Sequence, residues 1–253
     1  MKVVHPVLPD SAVRIALLST QRGGGISAMP YAAANGAGGF NLATHVGDDA
    51  IAVAHNRASL RQMLPAEPVW LNQNHGAVVV HACADTNFTS PPIADACIAT
   101  EPGVVCAVLT ADCLPVLFYD VSGDVVGAAH AGWRGLAAGV LQHTVTAMRA
   151  AGATDIRAWL GPAIGPNKFE VGEEVRAAFC SLDHVAEYAF IALANHPGKY
   201  VADLYALARL ALAQVSVTRV SGGDQCTVSQ PSDYFSFRRD QQCGRMASLI
   251  WIR

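Results

Sequence analysis

The chain has 253 residues, 52% of them hydrophobic and 15% charged, with a formal net charge of −3. That length supports a sizeable buried core, and so few charges exclude an extended disordered chain. The mild negative charge gives no electrostatic case for a nucleic-acid or membrane-surface partner.

The opening stretch MKVVHPVLPD is interrupted by Pro6, Pro9 and Asp10 and lacks the apolar core of a signal peptide. No apolar run reaches the roughly 18 residues of a membrane helix. A strand is predicted over Val13–Leu18. Residues 22–42 (RGGGISAMPYAAANGAGGFNL) are rich in Gly and Ala. They read as a flexible loop without a P-loop or G-x-G-x-x-G signature. A helix should run from Asp48 or Asp49 to Leu64, with Val53, Leu60 and Leu64 facing inward. Further strands are predicted over Ala77–His81, Val104–Leu109, Pro115–Tyr119, Val125–Ala129, Ile156–Leu160 and Ser248–Ile252. Helical spacing recurs over Leu136–Ala150, after Glu170 through Val171, Val175 and Leu182, and through Val201, Leu204, Ala208, Ala211 and Val215. This mixture, without strict βαβ alternation, indicates an α+β fold with a mixed sheet. The seven cysteines form no C-x-x-C pair and read as reduced thiols of a cytoplasmic protein. In that compartment the sequon Asn87-Phe88-Thr89 is a chance match.

The chemistry-bearing stretch is TADCLPVLFYDVSGDVVGAAHAGW, residues 110–133. Two apolar runs flank a turn with Gly123, the pattern of a β-hairpin. A turn centred near Ser122 pairs residues whose numbers add to roughly 243–245, which brings Cys113 and His130 to the same open end. Cβ atoms opposed across a ladder lie about 4.5–5.5 Å apart. A thiolate and an imidazole there suit one zinc ion or a Cys–His nucleophilic pair. They equally suit a small core cysteine beside a satisfied strand-end histidine. His75, next to Gly76 and just before a predicted strand, is the candidate third ligand, although the three match no short zinc spacing. Asp112 should face away from Cys113 in a regular strand and orient backbone instead. Phe235 and Phe237 offer ring faces for a base or packing for the core.

The segments NLATHVGDD (41–49), NR (56–57), NQNHG (72–76), TADCLPVLFYD (110–120), HAGWRG (130–135), GPAIGPNKFEVG (161–172) and FSFRRDQQCGRMAS (235–248) occur in this order. Together they resemble the YfiH-like family, whose members have been called multicopper polyphenol oxidases, purine nucleoside phosphorylases and peptidoglycan editing factors. The resemblance implies one domain over residues 1–253, with mixed β-sheets packed sandwich-like and flanked by helices. It also implies a zinc held by His75, Cys113 and His130, these three serving as the catalytic centre. Asn74 departs from the apolar residue usual in the family's Q-V-H-G, and the Gly-rich stretch before Asn41 is longer than usual.

Two histidines and one cysteine leave a fourth zinc position open, the pattern of a catalytic site. A water there would be acidified toward a pKa of about 7 and could attack adenine C6 to deaminate adenosine. The resemblance also implies phosphorolysis of adenosine, inosine, guanosine or methylthioadenosine, with a purine nucleoside and phosphate as partners. Arg57, Arg134 and Arg238 are then the guanidinium candidates for the anion. Each also suits a structural ion pair. Asn41 could bind ribose or base, or cap a turn. Glu170 offers a nearby carboxylate, or a charge at a helix start. The alternative reactions are hydrolytic editing of wrongly built muramyl-peptide precursors and copper-dependent polyphenol oxidation. Copper suits the same three ligands, but the H-x-H pairs and H-C-H run of a multicopper oxidase are absent from the sequence. The sequence fixes no oligomeric state.

Overall fold

The computed structural model describes residues 2–6, 14–85 and 90–253. Val13 and the sequon Asn87-Phe88-Thr89 lie outside the described residues.

Two sheets carry the architecture. The larger has the spatial order Val220–Gly222, Ile156–Leu160, Leu114–Asp120, Val126–Ala131, Ala96–Ala99, Val79–Ala82. Its two outermost pairings are parallel and the inner ones antiparallel. The smaller is antiparallel, in the order Val3–Val4, Ile15–Thr20, Met246–Ile252, Val105–Thr110. A third, short sheet joins Glu170–Gly172, Lys199–Ala202 and Phe190–Ala192.

Alternation along the strands explains the layering. Leu117 and Tyr119 point to one face of the larger sheet and share a core with Ile15, Leu17, Cys106, Val108 and Ile250 of the smaller. Val116 and Phe118 point to the other face. They share a core with Val140, Val145 and Met148 of helix Val140–Ala150 and with Leu207 and Leu212 of helix Leu204–Gln214. The far face of the smaller sheet, with Leu18, Ala107 and Leu249, packs with Leu60, Leu64, Phe40 and Leu42. The order is therefore helix, sheet, sheet, helix. Strands Val105–Thr110 and Leu114–Asp120 are buried at every position, so the sequence reads there as unbroken apolar runs. This is the mixed-sheet α+β fold expected.

Several boundaries differ from expectation for identifiable reasons. The Gly-rich stretch is not a flexible loop. It contains strand Gly23–Ser27, bridged to Gly39, and buries Tyr31, Phe40 and Leu42. A side chain at Gly39 would collide with the Tyr31 carbonyl, so glycine serves close backbone approach here. The predicted helix 136–150 is two helices, Trp133–Ala137 and Val140–Ala150, broken at Gly139, whose φ is 85°. The residues after Glu170 form strand Glu170–Gly172 before helix Glu173–Cys180 begins. Val201 belongs to a strand and the last long helix starts at Leu204, capped by Asp203.

Candidate metal centre

The hairpin exists with the pairs Leu114–Ala131 and Pro115–His130, at the upper end of the expected register. Cys113 lies one residue outside the ladder. Being two residues from Pro115, it shares that position's side of the sheet. Asp112 breaks the strand with a φ of 87°. Its buried carboxylate accepts hydrogen bonds from Thr227 Oγ1 at 2.6 Å and from the Arg238 backbone N–H at 2.6 Å. Asp112 therefore ties the Cys113 segment to a distant turn at Thr227 and to the short helix Phe237–Asp240, a backbone-orienting task without a regular strand.

His75 comes from another direction. Its φ is 63°, a left-handed conformation that costs a non-glycine residue free energy. Asp95, unremarked in the sequence, holds it there. One carboxylate oxygen accepts the His75 backbone N–H at 3.0 Å and His130 Nδ1 at 2.7 Å. The other accepts the N–H groups of Gly76 at 2.7 Å and Asn74 at 3.2 Å. Asp95 is fully buried and His130 is 3% exposed. Burial alone would raise the Asp95 pKa, but the His130 hydrogen bond and the backbone donors outweigh it and hold the carboxyl below its usual range. With Nδ1 bound to Asp95, His130 turns Nε2 toward the cluster.

The ligand atoms of His75, Cys113 and His130 all lie within 4.8 Å of one another. Cys113 Sγ is 3.8 Å from His75 Nε2, and the two imidazole rings meet edge-on at 4.9 Å. Two donors on one tetrahedral zinc, with bonds of about 2.3 Å to sulfur and 2.0–2.1 Å to nitrogen, sit about 3.5 Å apart. The donor set and spacing fit such an ion. The carboxylate behind His130 supplies the outer support that metal-binding imidazoles commonly have.

The cluster needs Gly132. A Cβ there would lie 2.8 Å from His75 Cδ2 and 3.0 Å from Cys113 Sγ. Backbone torsions of −63° and 156° at this position suit any residue. Gly132→Ala should therefore fold with a melting temperature close to that of the parent and lose at least about tenfold in metal affinity. Metal titration beside thermal melting checks this, and unchanged affinity would place the ligands elsewhere.

Without a metal, the pair is charged. Burial disfavours a thiolate, yet the His130 charge and hydrogen bond, with those of His75, bring the Cys113 pKa to about 6. Burial likewise disfavours an imidazolium at His130, but the Cys113 charge and the Asp95 hydrogen bond raise it to about 9. Between those values the metal-free protein holds a thiolate beside an imidazolium. Site-resolved alkylation of Cys113 in stripped protein should thus rise through pH 6 instead of the ordinary thiol range near 8.5, and metal should suppress it. A midpoint near 8.5 would rule out the ion pair.

Two cavities border the cluster. One, about 250 Å³, reaches His75, Cys113 and His130 and is walled by His45, Leu71, Arg245 and Phe237 among others. The second, about 270 Å³, lies beyond Cys113, with Trp133, Arg134, Phe169 and Arg238 in its wall. Ala111, Cys113 and Phe237 line both. Burial, reinforced by the Arg245 and Arg57 charges, holds His45 below the usual imidazole pKa.

The remaining sequence candidates separate by position. Arg134 and Arg238 line the second cavity. Arg57 stacks on Trp70 at 4.2 Å and donates Nε–H to the Leu42 carbonyl, outside both linings. Asn41 is fully buried, and its amide joins Ala43, Asp48 and Arg245. These are the contacts of a turn cap. The exposed Glu170 gives its carbonyl oxygen to Arg238 Nη1 at 3.1 Å and lies outside both linings. It sits in a strand, not at a helix start, which corrects the helix-dipole expectation. Phe235 is core, whereas Phe237 is half exposed between the cavities. Asp95, His45 and Arg245 went unassigned in the sequence. Each left a signal there: His45 in NLATHVGDD, where it suits either an approach to the site or a helix entry, Arg245 in FSFRRDQQCGRMAS, and Asp95 as a carboxylate inside the apolar run IADACIA.

Residues 16–253 match the family described as multi-copper polyphenol oxidoreductase laccase. The chain is 49% identical over 253 residues, covering 99% of each chain, to an Escherichia coli protein named purine nucleoside phosphorylase YfiH. It is 47% identical over 97% of each chain to a Pseudomonas aeruginosa purine nucleoside phosphorylase. The crystal structure of a Neisseria meningitidis protein superposes with a TM-score of 0.90 at 46% identity, covering 100% of this chain and 99% of that one. A Bacillus licheniformis hypothetical protein YfiH gives 0.87 at 28% identity, covering 96% and 94%. With near-half identity over the whole length and the same backbone, this chain belongs to the YfiH-like, laccase-domain family.

Proposed function

We propose that this protein is a zinc-dependent purine nucleoside phosphorylase whose reaction centre is His75, Cys113 and His130. The substrates are adenosine, inosine, guanosine or methylthioadenosine, with adenosine deamination as a second activity of the same centre. The observation that carries the reading is a convergent His-Cys-His set opening onto a cavity, in a chain whose relatives bear the phosphorylase name. Zinc bound there would supply a Lewis acid. The chain's own groups do the rest. Asp95 fixes His130 and the His75 backbone, Cys113 carries negative charge, and Phe237 offers a ring face to the base. Arg134 and Arg238 supply positive charge for phosphate. Arg57 and Asn41 act by holding the wall behind His45.

A multicopper oxidase needs further histidine clusters, and the described residues hold one metal-capable group. Copper at these ligands is therefore a competitor for the site rather than its working ion. The thiols are unbridged among the described residues, Cys97 and Cys106 even at 3.3 Å between sulfurs. Among the described residues, no helix is long and apolar enough to cross a membrane. The unbridged thiols suit the reducing cytoplasm proposed for this protein.

Incubation with adenosine, with and without phosphate, tests the proposal. Adenine and ribose 1-phosphate are expected only when phosphate is present. Inosine alone would leave deamination without phosphorolysis. Inert nucleosides, with release of an amino acid from a muramyl precursor, would instead establish the editing hydrolase.

A further inference from the structure

We propose that the second cavity is the phosphate subsite, built by Arg134 and Arg238, and that the nucleoside occupies the first cavity. This assignment rests on the phosphorylase reading and divides its two substrates between the two sides of Cys113.

The charge distribution points this way. Arg134 is exposed on helix Trp133–Ala137 and stacks on the Trp133 ring at 4.5 Å. It lines the cavity, and among the described residues its guanidinium makes no ion pair or hydrogen bond. Arg238 is set over the Phe169 ring at 5.6 Å and uses only Nη1 to reach the carbonyls of Glu170 and Lys168. Its Nε and Nη2 donors have no partner among the described residues. Two aromatic-backed guanidiniums are a forked receptor for a tetrahedral dianion. The one carboxylate in the lining, Asp112, has its oxygens engaged by Thr227 and the Arg238 backbone. The lining of the first cavity holds a single guanidinium, Arg245, whose Nη1 donates to the carbonyls of Cys243 and Gly244.

The shared border supplies the reaction geometry. Ala111, Cys113 and Phe237 line both cavities, so the two adjoin at these residues, and the proposal brings the two ligands together at that border. A nucleoside with its base in the first cavity presents its anomeric carbon at that border, facing away from the base. A phosphate oxygen arriving from the second cavity forms the C1′–O bond as the C1′–N9 bond breaks. The bonding pair leaves with the purine, and the proton of hydrogen phosphate ends on the base. The products are ribose 1-phosphate and free purine, so atoms and charge balance.

The test uses the metal-loaded enzyme and inorganic phosphate. Arg134→Gln should raise the KM for phosphate about ten- to a hundredfold, the scale of a lost hydrogen bond to a charged group, with the KM for nucleoside within about twofold. Arg238→Gln should do the same. Since Arg238 also holds loops together, the exposed Arg134 is the decisive position. Titration of phosphate without nucleoside separates this inference from the parent reading. Binding that is lost in Arg134→Gln supports the subsite even where no phosphorolysis is seen. Wild-type phosphate affinity in that variant, or a nucleoside KM that rises in step with the phosphate KM, overturns it.

Discussion

Asp95→Asn is expected to cost about 10–100-fold in metal affinity and about 2–4 kcal/mol in stability. The parent carboxylate accepts four hydrogen bonds in a fully buried position, two on each oxygen. An asparagine keeps the shape but replaces one oxygen with NH2. Whichever way the amide turns, that group faces two donors and leaves them unpaired. His130 loses its orienting anion, and the left-handed turn at His75 loses its clamp. Thermal melting and metal titration read the two losses separately. For a chain of this size each kcal/mol moves Tm by roughly 2–4 °C. The pH dependence has a definite sign. A carboxyl whose folded pKa lies below its unfolded one stabilises above the unfolded value, and that stability is lost as pH falls through the folded value. Wild type should therefore lose stability in acid more steeply than Asp95→Asn. If the variant binds metal as tightly as the parent, the carboxylate does not organise the centre.

Cys113→Ala is expected to abolish turnover, by on the order of 10³-fold or more, and to abolish metal retention with it. The sulfur lies 3.8 Å from His75 Nε2 and borders both cavities. Its removal takes away the anionic donor and leaves two imidazoles. Metal content after gel filtration decides the residue's role. Inactive protein that still carries one equivalent of zinc would make Cys113 a nucleophile in place of a ligand. Active protein would remove it from the mechanism.

The sequence made some features legible because they depend on neighbours in the chain. The hairpin can be read from two apolar runs and a five-residue turn, and that reading alone brings Cys113 toward His130. The doubly buried strands could be read because both faces demand apolar residues. Other features depend on contacts distant in sequence. Asp95 acts on residues 20 and 35 positions away, and one carboxylate in an apolar run does not announce its partners. Arg134 and Arg57 look alike in sequence. Only tertiary packing sends one to a cavity and the other onto Trp70. The Gly-rich stretch misleads because composition does not distinguish glycine needed for motion from glycine needed for close contact.

The smaller sheet has a consequence for biosynthesis. Met246–Ile252 lies between Ile15–Thr20 and Val105–Thr110 and pairs with both. A ribosome delivers those two flanking strands long before the one that joins them. Until residue 252 has emerged, the nascent chain carries two apolar strand edges with no partner, the kind of surface that invites mispairing between chains. Arg245 immediately precedes that strand, so the first cavity too is completed only after nearly the whole chain has left the exit tunnel.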